Sequence, residues 1–219
     1  MATEIIRFIN PSLHPDMLKS ALHIALQIDE NCFKNLSNEE KSKLMLQLSF
    51  FFTSPYGYYP PLSSENFELV MSLLVNLTAT EDPLFLNSLL KSSDIIKKCM
   101  DLILEKGKKK TSTFAIQLFC NISRQFSQEL VGKLVLYDSE FCSKLIDYFL
   151  LPDSINKDIN NSTTYLGFLV VNLSTVKSFG SLIALNKIEF ISSLLSSLDG
   201  SNSLRLSALK IVYNLSLQD

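Results

Sequence analysis

Val170-Val171-Asn172-Leu173-Ser174 closes an apolar, helix-patterned stretch, and the same five-residue pattern occurs three more times in the chain. It stands as Leu74-Val75-Asn76-Leu77-Thr78, as Phe119-Cys120-Asn121-Ile122-Ser123 and as Val212-Tyr213-Asn214-Leu215-Ser216. Two apolar residues precede each asparagine, Leu or Ile follows it, and Ser or Thr ends the pattern. The asparagines are 45, 51 and 42 residues apart. Recurrence at a spacing of this size marks an array of similar units, each too small to bury its own apolar face. With the asparagine as position zero, positions −6, −3, −2 and +1 hold Val70, Leu73, Leu74 and Leu77 in one copy and Ala115, Leu118, Phe119 and Ile122 in the next. They hold Leu166, Leu169, Val170 and Leu173 in the third and Ala208, Ile211, Val212 and Leu215 in the fourth. All sixteen are apolar, and their spacing places them on one stripe of an amphipathic helix.

Working outward, each motif helix is preceded by further helical patterns. Asp82-Pro83 opens Leu84 to Leu90; Ser93-Asp94 opens Ile95 to Glu105, with Asp94 as N-cap and Gly107 as the glycine beyond the C-terminus. Gln128 to Leu136 and Ser139 to Leu151 follow the second motif; Phe179 to Leu185 and Ile188 to Leu198 follow the third. About three helices per unit at this period is the armadillo form, and two is the HEAT form. The expected fold is therefore all-α: a right-handed armadillo/HEAT-type α-solenoid of about four to five repeats, forming a single domain over 1–219. Lys19 to Ile28 repeats the apolar spacing with Gln27 where the asparagine would stand, so 1–52 is expected to be a degenerate N-terminal capping repeat. Residues 53–64, with Pro55, Gly57, Pro60 and Pro61, are expected to form a loop. The regular repeats are expected over 65–219, interrupted by a polar loop from Asp153 to Ser162.

Composition excludes several functions. Apolar residues make up 47% of 219 and the net charge is −2, which suits a folded core and provides no general field for nucleic acid. The run Lys106-Gly107-Lys108-Lys109-Lys110 reads either as a solvated helix end or as a local contact for an anionic partner. Cys32, Cys99, Cys120 and Cys142 are too dispersed for a zinc site, and only two histidines are present, so no metal is expected. They read as buried free thiols of a reducing compartment. No secretory leader is legible at Met1, and Tyr165 to Leu173 is about half a bilayer span. A cytoplasmic protein is expected, with the nucleus open to it. No phosphate loop, nucleophile elbow or catalytic constellation stands out, so no catalytic residue, cofactor, small-molecule substrate or membrane partner is assigned.

A mid-helix asparagine has poor propensity and needs a reason. Either its carboxamide bonds a neighbouring helix or loop, or it pairs with the main chain of an extended peptide, offering both a donor and acceptors. The face it shares carries Leu69, Ser72, Asn76 and Ala79; Phe114, Gln117, Asn121 and Arg124; Tyr165, Phe168, Asn172 and Thr175; and Ser207, Lys210, Asn214 and Leu217. The candidate partner-binding residues are Asn76, Phe114, Gln117, Asn121, Arg124, Tyr165, Phe168, Asn172, Lys210 and Asn214. Aromatics beside an arginine are typical of binding hot spots, yet the same aromatics would serve equally to fill a junction between repeats. With no Trp in the chain, basic localisation signals are not expected to bind as they do on tryptophan–asparagine ladders.

Several stretches together resemble one group of armadillo proteins. Leu73 to Leu77, then Phe119 to Arg124, then Tyr165-Leu166-Gly167 leading to Asn172-Leu173-Ser174, and Asp199 to Arg205 before a last motif, are similar to the HGH-one family. The resemblance covers roughly Phe67 to Leu217. It implies an armadillo-fold chaperone adaptor that assists folding of translation elongation factor 2, with larger chaperones as further partners. The family reads Arg-Asn-Cys-Cys-Phe where this chain has Tyr213 to Leu217, so only the asparagine carries over there. It also continues well past the last motif, which implies that these residues are part of a longer protein. The alternatives are another armadillo adaptor, such as a nucleotide-exchange factor for an Hsp70 chaperone, or a generic peptide-binding scaffold.

Overall fold

A computed structural model describes residues 2–53, 63–105, 110–149, 160–186 and 202–218, with the single positions 192 and 195. Among these residues all regular structure is helical. The helices are α1 (Ala2–Ile6), α2 (Pro15–Gln27), α3 (Glu30–Lys34), α4 (Asn38–Phe50), α5 (Ser64–Ala79), α6 (Pro83–Lys91) and α7 (Ser93–Leu104). They continue as α8 (Lys110–Tyr137), α9 (Phe141–Phe149), α10 (Asn160–Leu173), α11 (Lys177–Asn186) and α12 (Asn202–Ser216). The chain divides into two compact units, Met1–Asn121 and Ile122–Asp219.

The helix starts follow local chemistry. Ser37 caps α4 and is answered by the Glu40 carboxylate in a reciprocal box. Ser63 caps α5, and Asp82 caps α6 with Pro83 in its first turn. The expected Asp94 cap of α7 is not found. Ser92 is the N-cap and makes no side-chain bond, so Asp94 lies inside the first turn, where a carboxylate favours the helix dipole instead. The break expected between the second motif and Gln128 is a kink: Phe126, at φ −128° and ψ 39°, leaves helical geometry inside α8. Of the loop expected over Asp153 to Ser162, 153–159 lie outside the described residues, and the rest is helical because α10 begins at Asn160. Gly107, most of 53–64, and most of Ile188 to Leu198 lie outside the described residues, as does the basic run except Lys110.

In the first unit α2 packs on α5 and α4 packs on α6. Lys41 on α4 and Asp82 at the start of α6 form an ion pair of 2.6 Å, with side chains only 9% and 14% exposed. Lys41 Nζ also lies 5.8 Å from the centre of the Phe85 ring, within reach of its negative face. Burial pushes the Asp82 carboxyl upward, but the Lys41 hydrogen bond and the capped Leu84 amide outweigh it and hold the group below the usual aspartate value. In the second unit α10 packs on α12 and on α9, and α11 on α9 and α12. Of the sixteen stripe residues, fourteen are buried; Val212 and Leu215 on α12 are half-buried. Three cysteines are buried as expected, but Cys32 is exposed, since α3 is a short helix whose far side meets solvent.

Candidate partner-binding site

The motif asparagines connect successive motifs. Asn121 Nδ2 donates to the Val75 carbonyl at 3.2 Å and to Thr78 Oγ1 at 3.1 Å. Asn214 Nδ2 donates to the Val171 carbonyl at 3.0 Å and to Ser174 Oγ at 2.9 Å. Asn172 Nδ2 donates to Ser123 Oγ at 3.0 Å. In each case the carboxamide at position zero reaches the hydroxyl at +2 of the preceding motif, and in two it also reaches the carbonyl at −1. The hydroxyls are held in place for this. Thr78 Oγ1 donates to the Leu74 and Val75 carbonyls at 2.8 and 2.9 Å, and Ser174 Oγ donates to the Val171 carbonyl at 2.7 Å. A hydroxyl has one donor and two lone pairs, so it can cap its own helix and still receive the next asparagine. The Ser or Thr that ends each of the first three motifs is thus the partner of the next motif's asparagine. Its presence in all four copies was the available signal, and the role itself was not read from it.

Asn76 differs. It is exposed and makes no side-chain hydrogen bond to another described residue. It lines a cleft of about 270 Å³ with Ala25, Ile28, Phe33, Leu73 and Thr80. By register its partner would be the motif at Gln27, where Asp29 takes the +2 place. Asp29 instead caps α3 through the Asn31 amide at 2.8 Å, so the chain turns away into a helix there.

The remaining candidates separate by exposure. Phe114 and Gln117 are half-buried and Asn121 is buried, all in the first unit. In the second unit Arg124 and Lys210 are exposed, Tyr165, Asn172 and Asn214 are half-buried, and Phe168 is 40% exposed. Tyr165 and Phe168 meet edge to face with ring centres 6.5 Å apart and planes at 81°, an arrangement favoured by the ring quadrupoles. Gly167, between them on α10, allows the close approach of α12: a Cβ there would stand 2.7 Å from Ser207 Oγ. The motif faces hold cations and amides at these positions but no carboxylate. Among the described residues no group of three or more His, Cys, Asp or Glu side chains is placed to hold a metal ion. No single described helix is long and apolar enough to cross a membrane.

Solved structures show a similar fold. A designed armadillo repeat protein aligns over all of this chain and 84% of its own length, with TM-score 0.64 and 17% identity. The fold is an armadillo-repeat fold. A second designed armadillo repeat protein, solved in complex with the peptide (KR)4, aligns over 97% of this chain and 81% of its own at TM-score 0.62 and 16% identity. An engineered protein aligns over 98% of this chain at TM-score 0.67 and 12% identity; this chain spans 47% of it, about half its length. No family model matches the sequence, and no curated protein matches it.

Proposed function

We propose that this chain is a protein-binding scaffold whose motif helices grip a segment of a client protein. Its role would be that of a cytosolic chaperone adaptor assisting translation elongation factor 2, which it passes to larger chaperones. The observation that carries the scaffold reading is Phe168: a large aromatic, 40% exposed, on a packed helix and braced by Tyr165. A rigid, partly exposed aromatic is what binding hot spots are built from, because little side-chain entropy remains to be lost. Lys210, at the position equivalent to Phe168 on α12, supplies a cation beside it in register. The peptide held by the designed neighbour is basic. Here Lys210 is an exposed cation on the motif face, so electrostatics favours an apolar or acidic segment of the client. Within the first unit, and considered by itself, Asn76 offers an unused carboxamide able to meet a peptide main chain.

The elongation-factor reading is supported by the resemblance over Tyr165 to Ser174, the stretch that contains Phe168. Affinity capture from cytosol with an amine-reactive cross-linker tests it. The expected result is elongation factor 2 with chaperonin subunits, linked through Lys210 and lost with Phe168→Ala while helicity is kept. Capture of an Hsp70 whose ADP release quickens would replace this client with the nucleotide-exchange reading. Links confined to lysines elsewhere, indifferent to Phe168→Ala, would remove the binding face.

A further inference from the structure

Charge is set unevenly over the helices of the second unit. α10, α11 and α12 carry Lys177, Arg205 and Lys210, and none of the three contains an Asp or Glu. α10 itself carries no charged residue. Its large exposed side chain is Phe168, and on α12 Lys210 is exposed at the equivalent motif position. The motif face of this unit therefore presents an aromatic ring on a neutral helix and an ammonium group on the next.

The junction between the two helices fixes their register. Toward the helix starts, Gly167 faces Ser207, whose Oγ would lie 2.7 Å from an added Cβ. Toward the helix ends, Asn214 Nδ2 donates to the Val171 carbonyl at 3.0 Å. These two contacts bracket Phe168 on α10 and Lys210 on α12, so position −4 of one motif stands abreast of position −4 of the next. Packed helices run roughly 8–10 Å apart. An extended chain advances about 3.3 Å per residue and sends alternate side chains to one side. A strand laid across both helices thus brings side chains two positions apart to the ring and to the ammonium, and the flexible lysine stem covers the remaining difference. The ring is held by its edge-to-face contact with Tyr165 at 6.5 Å, so the anchor is fixed and the cation adapts.

We propose that this face selects an extended protein segment in which an aromatic or large aliphatic residue and a carboxylate stand two positions apart, the first against Phe168 and the second against Lys210. The proposal rests on the scaffold reading above and adds to it the side-chain pattern that is recognised. The apolar residue contributes most of the affinity, because it covers a ring that has little freedom left to lose. The carboxylate contributes less, since an exposed ion pair in water is weak. Its larger effect is on choice: a basic residue at the same place meets Lys210, and no acid on α10, α11 or α12 compensates for it.

Fluorescence anisotropy of labelled peptides with the full chain tests this. The probe is a peptide of three copies of Phe-Ser-Glu-Ser, set against the same peptide with Gln or Lys for Glu, or with Ala for Phe. The Glu peptide should bind about tenfold more tightly than the Lys peptide, with the Gln peptide between them. Ala for Phe should weaken binding by about tenfold or more. Added salt should narrow the first difference and spare the second. Lys210→Glu should invert the order of the Glu and Lys peptides, whereas Phe168→Ala should weaken both alike, with helicity checked by circular dichroism. Should Phe168→Ala lose helicity, the inversion by Lys210→Glu decides alone. If Phe168→Ala weakens binding while Lys210→Glu leaves the order unchanged, the aromatic anchor stands and the charge pattern is overturned. A Lys peptide that binds the wild type best, or no binding of any peptide at millimolar concentration, also overturns it. Binding indifferent to both variants overturns it too, and removes Phe168 as the anchor of the scaffold reading as well.

Discussion

Replacing Asn121 measures the repeat junction directly. Its carboxamide is 6% exposed and donates two hydrogen bonds to the preceding repeat, at 3.2 and 3.1 Å. Each is worth roughly 1 kcal/mol net. Neither acceptor depends on it, because Thr78 Oγ1 keeps its own bonds to the Leu74 and Val75 carbonyls. Asn121→Leu, of similar shape, should therefore cost only about 1–2 kcal/mol. Asn121→Ala also leaves a small cavity and should cost about 2–3 kcal/mol. Asn121→Asp removes both donors and turns a carboxylate toward a carbonyl in a buried place, so about 3 kcal/mol or more is expected. Urea unfolding at constant m resolves the three midpoints. Thr78→Val keeps the shape of the partner, and its cycle with Asn121→Ala should give a coupling of about 0.5–1.5 kcal/mol. An Asp variant no weaker than the Ala variant, or no coupling to Thr78, would refute the junction.

Three further outcomes follow from the packing. Lys41→Met leaves Asp82 buried without its cation and should destabilise the chain by about 3 kcal/mol, read as a lower urea midpoint. Because the folded Asp82 carboxyl is held below its ordinary value, the pair stabilises the wild type above that value. The advantage is lost as pH falls through the lower folded value, so wild type and Lys41→Met should converge in acid, checked by unfolding at several pH values. Gly167→Leu should disrupt the contact between α10 and α12 and lower the melting temperature sharply, whereas Gly167→Ala needs only the Ser207 hydroxyl to move and should regain stability when combined with Ser207→Ala. Burial raises the Cys99 thiol and pushes Cys142 up to about 11, so thiol labelling of the native chain should modify Cys32 rapidly and the other cysteines only after unfolding.

The helical stripe was legible because burial imposes a period that every unit must satisfy. Val70 through Ile211 obey it, and the half-buried Val212 and Leu215 lie on α12, whose neighbouring stripe is open. The caps at Asp82 and Pro83 were legible for a similar reason: a first turn needs a side-chain acceptor and tolerates a missing N–H. Asp94 misled because a dipole-favoured acid in the first turn resembles a cap in sequence. The Phe126 kink carries no Gly or Pro, so nothing local announces it. The asparagine partners lie more than forty residues away in the chain, and local sequence cannot say whether a carboxamide points to a neighbouring repeat or to a ligand. Three asparagines use their N–H donors inside the molecule, while Asn76 does not, because Asp29 turns the chain into α3 where an acceptor would otherwise stand. Phe168 was legible as an aromatic on the motif face, but its exposure depends on where Gly167 lets α12 approach.

Hydrogen exchange of the four motif carboxamides, followed by NMR on selectively labelled asparagine, tests the central claim most directly. The side-chain N–H groups of Asn121, Asn172 and Asn214 should be protected, Asn121 most strongly, while Asn76 exchanges at the rate of an exposed amide until a protein partner covers it. Four carboxamides exchanging alike, or a protected Asn76 beside an unprotected Asn121, would contradict it.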